Sequence, residues 1–551
     1  MPTNALPESR GSARNPLEPG GYAMRFDKRA LLAGVAGAAL IWSTAAVAHP
    51  TSGGDLGQVV FKTSCSEPAQ AKFNHAMAYQ HSFWYRAATD TFNEVLKLDP
   101  SCAIAYWGLA LANLRNPYAP PLPAWLKDGL AMIDKGLALG PKSEREKGYL
   151  EALGAFYRDH DKVPHRDRQV AYAKAMEGLA ARYPDDIEAQ IYWALALAVS
   201  ASPADKTYAN QLKAAKILEP IFEAKPMHPG VAHYIIHAYD YPPIAKHGLE
   251  AAKRYAKIAP DSPHALHMPS HIFTRLGYWQ ESIEANAASA RIATAQNEAQ
   301  DAAHAYDYMV YAFLQTGRDQ LAAKALVELR KIDPGSGRFA APFALSAAPA
   351  RFTLERGAWA EAAALQLQPG EFAYAEAHLH FARAVGAGNL GNAAQVREEA
   401  AKLAALAEKL KAAKNDYWAE QVDLQRRAAL AWADWADKKY DAAIAAMTDV
   451  ADREDRTEKH VVTPGPLLPG REMLGDMLLA RGKNAEALAA FEAVLVKEPN
   501  RFRATAGAAR AAQALGDMTK AKAHYKALLE MCVEADTERP ELKQAKAVVG
   551  G

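Results

Sequence analysis

Two pairs of histidines near the middle of the chain are the residues best suited to chemistry. His233 and His237 form one pair, and His267 and His271 form the other, each with the spacing i, i+4. This spacing places both imidazoles of a pair on one face of a helix, about 6 Å apart along its axis. The offset between the pairs is 34 residues at both positions (267 − 233 and 271 − 237). We therefore expect equivalent helices of two successive repeats to carry the pairs side by side.

Further imidazoles and carboxylates flank the pairs at positions that would line the concave groove of such an array. His264 precedes the second pair, His304 and Asp307 fall in the next repeat, and Asp240 follows the first pair. Imidazoles suit a divalent transition metal such as Zn, Cu, Ni or Fe, and carboxylates could orient the rings. The alternative is a structural role, in which the histidines bond backbone carbonyls and one another. Without a metal, the protonated cluster could also hold an anionic ligand.

Pro269 breaks a local rule between His267 and His271. Proline inside a helix removes one backbone hydrogen bond, so the sequence predicts a kink or a delayed start at this point. Such departures are expected at functional sites.

Helical hairpins repeated along the chain are the elements that must position these residues. Alanine is abundant, Val-, Ile- and Thr-rich strands are missing, and Gly and Pro punctuate the chain regularly. The clearest repeats are residues 474–499, with Gly475 and Phe491 in register, and residues 507–528. The predicted fold is all-α: a right-handed α-α superhelical solenoid of helical hairpins.

Several segments together resemble a large family of mostly bacterial tetratricopeptide-repeat proteins. The resemblance covers the chain after its leader and is looser in the C-terminal half. It implies tetratricopeptide-like hairpins and no particular biochemical activity. The segments that carry it are FNHAMAYQHSFWYRAATDTF (73–92), DPSCAIAYWGLALA (99–112), AYAKAM (171–176), HPGVAHYIIHAYD (228–240), HALHMPSHIFTRLG (264–277) and LGDMLL (474–479).

The N-terminal 48 residues predict export. After Met24, the expected true start, a basic segment precedes an apolar run that ends in Ala46-Val47-Ala48. This is the pattern of a secretory signal peptide, and the apolar run is short for a membrane span. We expect an exported, periplasmic protein that begins at His49, by either the Sec or the twin-arginine route. No later segment is apolar enough for an integral membrane span.

The rest of the chain divides into two predicted repeat arrays. Residues 49–332 form the N-terminal array with the histidine-rich groove, and residues 350–551 form the C-terminal array. Residues 333–349, rich in Gly, Pro and Ala, are the expected linker.

Cys65 and Cys102 each precede a repeat helix, near the same end of adjacent hairpins. In an oxidising compartment they could form a disulfide, and the alternative is two buried free thiols. Cys532 has no evident partner.

Charge and motifs narrow the function. A net charge of +1 argues against nucleic acid as a partner. The sequence contains no nucleophile elbow, phosphate loop, dinucleotide fingerprint or CxxC, which favours a binding protein over an enzyme. We expect a scaffold that binds a partner protein or peptide in its concave groove. The alternative is a metal-binding or metal-dependent protein that uses the histidine cluster.

Overall fold

The computed structural model describes residues 54–335, 339–367 and 372–550. The predicted signal peptide, with Met24 and the cleavage site before His49, lies outside these ranges. Within them the regular elements are 26 α-helices and one short 3-10 helix, Ala245–Gly248, and no strand occurs.

The first ten α-helices, up to Ile258, form the beginning of the array. They are α1 (Glu67–His81), α2 (Tyr85–Leu98), α3 (Ala103–Asn113), α4 (Pro123–Leu139), α5 (Glu144–Tyr157), α6 (His165–Arg182), α7 (Ile187–Val199), α8 (Ala209–Ala224), α9 (Pro229–Tyr239) and α10 (Leu249–Ile258).

Sixteen further α-helices continue the array among the described residues. They are α11 (Pro263–His267), α12 (Pro269–Leu276), α13 (Trp279–Ala295), α14 (Ala299–Gln315), α15 (Asp319–Leu329), α16 (Ala340–Glu355), α17 (Trp359–Ala363), α18 (Ala373–Asn389), α19 (Ala393–Ala412), α20 (Asp416–Ala436), α21 (Tyr440–Glu454), α22 (Gly470–Ala480), α23 (Asn484–Lys497), α24 (Phe502–Ala514), α25 (Met518–Met531) and α26 (Pro540–Gly550).

Each helix packs on the next one along the chain, and the first helices of successive hairpins also contact each other, as α14, α16, α18 and α20 do. Small residues make this close packing possible. A Cβ added at Gly475 would lie 2.8 Å from the ring of Phe491, which occupies that space. The all-helical solenoid predicted from the repeat pattern is confirmed.

A helix occupies much of the predicted linker, 333–349. Helix α16 already begins at Ala340 and includes Pro349. Its first half is rich in alanine, the strongest helix former, and it packs against α14 and α18. The apolar core therefore continues across this region.

Cys65 lies just before α1, and Cys102 is the residue before α3. The structure joins their sulfurs in a disulfide, with the Cα atoms 5.0 Å apart. This distance falls within the range that a disulfide requires. Cys532 is buried and unbridged.

The array also makes contacts over long sequence separations. Helix α14 touches α24, and the indole N–H of Trp279 donates to the backbone carbonyl of Asn500 at 2.8 Å. Lys206 donates to a carboxylate oxygen of Glu458 at 2.6 Å. The C-terminal repeats thus pack against the helices that carry the histidines.

A search of the described residues finds no helix that is both long and apolar enough to span a membrane.

Candidate metal centre

Helices α9, α11 with α12, and α14 carry the predicted histidines. Helix α9 begins where the His228 side chain accepts a hydrogen bond from the Val231 N–H, and α11 begins where the Ser262 hydroxyl accepts one from Ala265. A proline follows each of these N-caps, where its fixed backbone torsion suits the first helical turn.

Pro269 divides the second of these segments into α11 and α12, as its position in the sequence predicts. Helix α11 ends at His267 and α12 begins at Pro269, while Met268 keeps helical torsions (φ −54°, ψ −36°). The two pieces remain nearly continuous, so that His267 and His271 still lie on the same side.

The structure divides the four predicted ligands between two clusters instead of joining them in one site. His233 and His237 group with His264, and His267 and His271 group with His304. Within each cluster one candidate ligand atom of each residue lies within 4.8 Å of the others. The clusters are neighbours, because the ring centroids of His237 and His271 are 5.9 Å apart. We call them the first cluster (His233, His237, His264) and the second cluster (His267, His271, His304).

Hydrogen bonds determine which nitrogens of the second cluster carry protons. The Asn286 amide donates from Nδ2 to the Ser282 carbonyl, so its Oδ1 accepts from Nδ1 of His267 at 2.6 Å. Nδ1 of His271 lies 2.9 Å from Oδ2 of Asp240 and donates to it. In a neutral imidazole with a proton on Nδ1, Nε2 carries the lone pair.

These two lone pairs point at each other. The Nε2 atoms of His267 and His271 are 3.0 Å apart, with no proton to share while both rings are neutral. The Tyr308 hydroxyl lies 3.5 Å from Nε2 of His271, too far for a strong hydrogen bond. Two nitrogens bound to one tetrahedral zinc ion are separated by roughly 3.3 Å, given Zn–N bonds of about 2.0–2.1 Å. A metal ion between the rings would resolve the repulsion.

The first cluster also brings two Nε2 atoms together, but here the ring of His264 can donate a hydrogen bond to that of His233. Nδ1 of His233 donates to the backbone carbonyl of His81 at 2.7 Å, and its Nε2 lies 3.2 Å from Nε2 of His264. Neither ring nitrogen of His237 has a hydrogen-bond partner among the described residues, although the ring is buried. Buried polar atoms are rarely left unpaired, so the two nitrogens of His237 are placed to bind a water or an ion.

Burial keeps most of these imidazoles neutral. It lowers the pKa of His233, His237, His267 and His304 well below the ordinary value, and neighbouring histidines lower it further. Neutral imidazole is the form that binds a metal. The same effect disfavours the protonated cluster that an anionic ligand would require.

The two predicted carboxylates have different positions. Asp240 accepts a hydrogen bond from His271; burial opposes its ionisation, but Lys459, Arg275 and His271 hold its pKa well below the usual range. Asp307 instead faces Arg351, 3.5 Å away, and burial raises its pKa to about 6. Among the described residues no hydrogen bond joins Asp307 to either cluster, so its predicted supporting role finds no contact.

A third group of possible ligands, His81, Glu188 and His228, was missed by sequence reasoning. Its hydrogen bonds are complete: Glu188 accepts from Nε2 of both histidines at 3.0 Å. Nδ1 of His81 accepts from the Tyr234 hydroxyl, and Nδ1 of His228 caps α9. With every nitrogen paired, this group is a structural network. No signal of spacing links three residues this far apart in the chain.

The repeat register predicts that the clusters are exposed on the surface of the concave groove. The structure buries them instead. His267 and His271 are only 1% and 2% exposed. Phe83 packs on His233 and His264, Tyr118 packs on His237, and Lys459 lies 3.6 Å from Asp240. These covering residues come from the α1–α2 turn, the α3–α4 loop and the segment before α22.

Residues 69–102 match a family model described as tetratricopeptide repeat. The chain contains a tetratricopeptide repeat. This match covers most of α1, all of α2 and Cys102, and the hairpins that follow it continue the same helical array. Tetratricopeptide repeats generally form protein-interaction scaffolds.

Comparison with curated proteins found no match. Among solved structures, Naa15/Naa10 bound to HypK-THB is 13% identical and covers 87% of this chain and 77% of its own, with a TM-score of 0.22. The human IFIT1 dimer with m7Gppp-AAAA is 12% identical and covers 79% of this chain and 90% of its own, with a TM-score of 0.32. Both are too distant to bear on the function of this chain.

Proposed function

We propose that this protein binds first-row transition metal ions through its two three-histidine clusters, with the tetratricopeptide array as the supporting scaffold. The observation that carries the proposal is the pair of Nε2 lone pairs of His267 and His271, which face each other at 3.0 Å. Both Nδ1 atoms already donate to oxygen acceptors, so a cation between the rings would be bound by both Nε2 lone pairs and would remove their repulsion.

A purely structural role accounts less well for the same atoms. A shared proton between His267 and His271 would create a buried imidazolium, which the lowered pKa of both rings opposes. In the first cluster, no protein group among the described residues pairs with either nitrogen of His237, as a purely structural role would require. The third group shows how this chain satisfies buried histidines when they are structural.

Three histidine ligands would leave one position of a tetrahedral ion for water or another ligand. His264 and His304, one from each cluster, line a common cavity, so that position could be reached from outside. Zn, Cu, Ni and Fe all suit imidazole ligands, and residue types do not select among them.

Metal content tests the proposal. The full-length protein, expressed with its own leader and purified without immobilised metal, is expected to contain about two equivalents of transition metal by mass spectrometry of the elements. His271→Ala and His237→Ala should each remove about one equivalent, because each takes one ligand from one cluster.

The control is His81→Gln, which disturbs the third group at a similar depth. It should lower stability and leave the metal content unchanged. A wild-type protein that contains no metal and takes up none from micromolar zinc would contradict the proposal. Full metal content in His271→Ala would exclude the second cluster.

Binding of a partner protein or peptide remains a prediction, based on the tetratricopeptide-repeat fold. The groove helices that carry the clusters are covered by Phe83, Tyr118 and Lys459. A partner that binds the described conformation would therefore use another face of the array.

We also propose that the protein is exported and functions in the periplasm. The support is the signal-peptide pattern after Met24 and the bridge between Cys65 and Cys102, a bond typical of oxidising compartments. Mass spectrometry of the native protein should find His49 as its N-terminus, in the periplasmic fraction. An intact leader on cytoplasmic protein would refute export.

A further inference from the structure

A cavity of about 310 Å³ lies beside both histidine clusters. His264 of the first cluster and His304 of the second belong to its lining. The side chain of Arg86, also in the lining, is 52% exposed, whereas His304 is only 8% exposed. The cavity thus extends from a solvent-accessible end toward the histidines.

Aromatic side chains dominate the lining, and they come from distant parts of the chain. The α1–α2 turn and the start of α4 contribute one set, and the C-terminal repeats contribute another. Among them are Phe83 and Trp125 from the first set and Phe339, Tyr374 and Trp418 from the second.

The C-terminal set forms a continuous group of rings. Tyr374 and Trp418 are stacked with centroids 4.7 Å apart, and Phe339 stacks on His460 at 5.0 Å. Such surfaces favour flat aromatic ligands, because offset and edge-on ring contacts add to the burial of apolar area.

The charged groups of the lining are largely paired. Glu298 accepts hydrogen bonds from the Trp84 indole at 2.8 Å and from Nε of Arg86 at 3.0 Å. Arg115 packs over the Trp125 ring. Asp301, a further carboxylate of the lining, lies 3.7 Å from Nδ1 of His264. The charged groups of the lining thus lie close to partners within it, which favours a neutral ligand.

Volume limits the size of the occupant. A cavity of about 150 Å³ in another protein accepts one benzene molecule. The cavity here is about twice as large, which corresponds to a two-ring aromatic compound, and it reaches the lower end of the range for small-molecule pockets.

We propose that this cavity binds a small, flat aromatic compound of about two rings. A hydroxyl group of this compound coordinates, through its oxygen, the metal held by the histidines. The binding of an aromatic ligand is inferred from the cavity alone, and the coordination of the metal by its hydroxyl oxygen rests on the proposed metal function. The chemical class is therefore a neutral phenol-type ligand.

Calorimetric titration with 2-naphthol tests this inference on the full-length protein. Zinc-loaded protein should bind 2-naphthol, and the saturated analogue trans-2-decalinol should bind at least tenfold more weakly because it lacks aromatic faces. Metal-free protein should bind 2-naphthol several-fold more weakly, because the hydroxyl oxygen then has no metal ion to coordinate.

Two variants locate the site. Trp418→Ala and Trp125→Ala should each weaken 2-naphthol binding about tenfold with unchanged zinc content; Trp125 is only half-buried, so its replacement spares the core. Trp435→Ala, outside the cavity lining, should have no effect.

The outcomes separate the two proposals. If zinc binds as proposed but 2-naphthol does not bind, or binds both tryptophan variants as tightly as wild type, the cavity inference is wrong and the metal function stands. If 2-naphthol binds with the expected tryptophan dependence but no zinc is taken up, the metal function is wrong and the aromatic site stands. Equal binding of 2-naphthol to zinc-loaded and metal-free protein would refute the contact between its hydroxyl oxygen and the metal.

Discussion

Zinc is expected to raise the free energy of unfolding of the metal-free protein by about 4 kcal/mol for each cluster, and so by about 8 kcal/mol for both, when free zinc exceeds the dissociation constant 1,000-fold. The physical reason is that the native chain already holds three imidazoles of each cluster within 4.8 Å of one another. In the unfolded chain the same ligands are spread from His233 to His304, so the unfolded state binds zinc far more weakly.

Urea unfolding followed by circular dichroism, with and without zinc, measures this gain. The double variant His237→Ala/His271→Ala should lose most of it, because each cluster then lacks one ligand. His81→Gln should begin from a lower stability and keep the full gain. An equal gain in the double variant would show that zinc binds elsewhere.

The fold could be predicted from the sequence because a repeat states the same packing rule many times. Gly475 and Phe491 in register, for example, already predict that two helices approach closely at that point, and the Phe491 ring does occupy the space beside Gly475. The linker was harder to place. Its Gly and Pro residues predict loose chain, but the alanines after residue 340 extend α16 into it.

The histidine pairs could be located by the same reasoning, since the 34-residue offset puts His233 and His267 at equivalent positions. The division into two clusters could not. It depends on how His264 and His304 approach from their own helices, which periodicity does not determine at the scale of a metal–ligand bond. His264 turns to His233 at 3.2 Å, although His267 is much closer in sequence.

The burial of the clusters also could not be predicted from the sequence. Phe83 and Lys459 lie far from the histidines along the chain, and neither belongs to the repeat pattern that identifies groove positions. Their contacts result from the way the C-terminal repeats and the α1–α2 turn pack on α9, α12 and α14. Such long-range contacts decide whether a predicted groove is open or covered.

Replacing Arg501 with Met is expected to destabilise the protein by about 3–5 kcal/mol. Arg501 is fully buried and joins separate repeats. It donates to Glu472 at 2.6 Å, to Glu355 at 2.6 Å and to the Tyr311 hydroxyl at 2.9 Å. Without the guanidinium, the buried carboxylates of Glu355 and Glu472 lose the charge that stabilises them.

Thermal and urea unfolding of Arg501→Met beside wild type provide the measurement. Arg86→Met is the matched control, because the Arg86 side chain is 52% exposed and ion pairs at the surface contribute no more than about 1 kcal/mol. The triple variant Glu355→Leu/Glu472→Leu/Arg501→Met should regain much of the loss, since removing all three charges removes the desolvation cost that one unpaired partner leaves. A loss below about 1 kcal/mol in Arg501→Met would mean that the C-terminal repeats hold α14 by apolar packing alone, without this ion network.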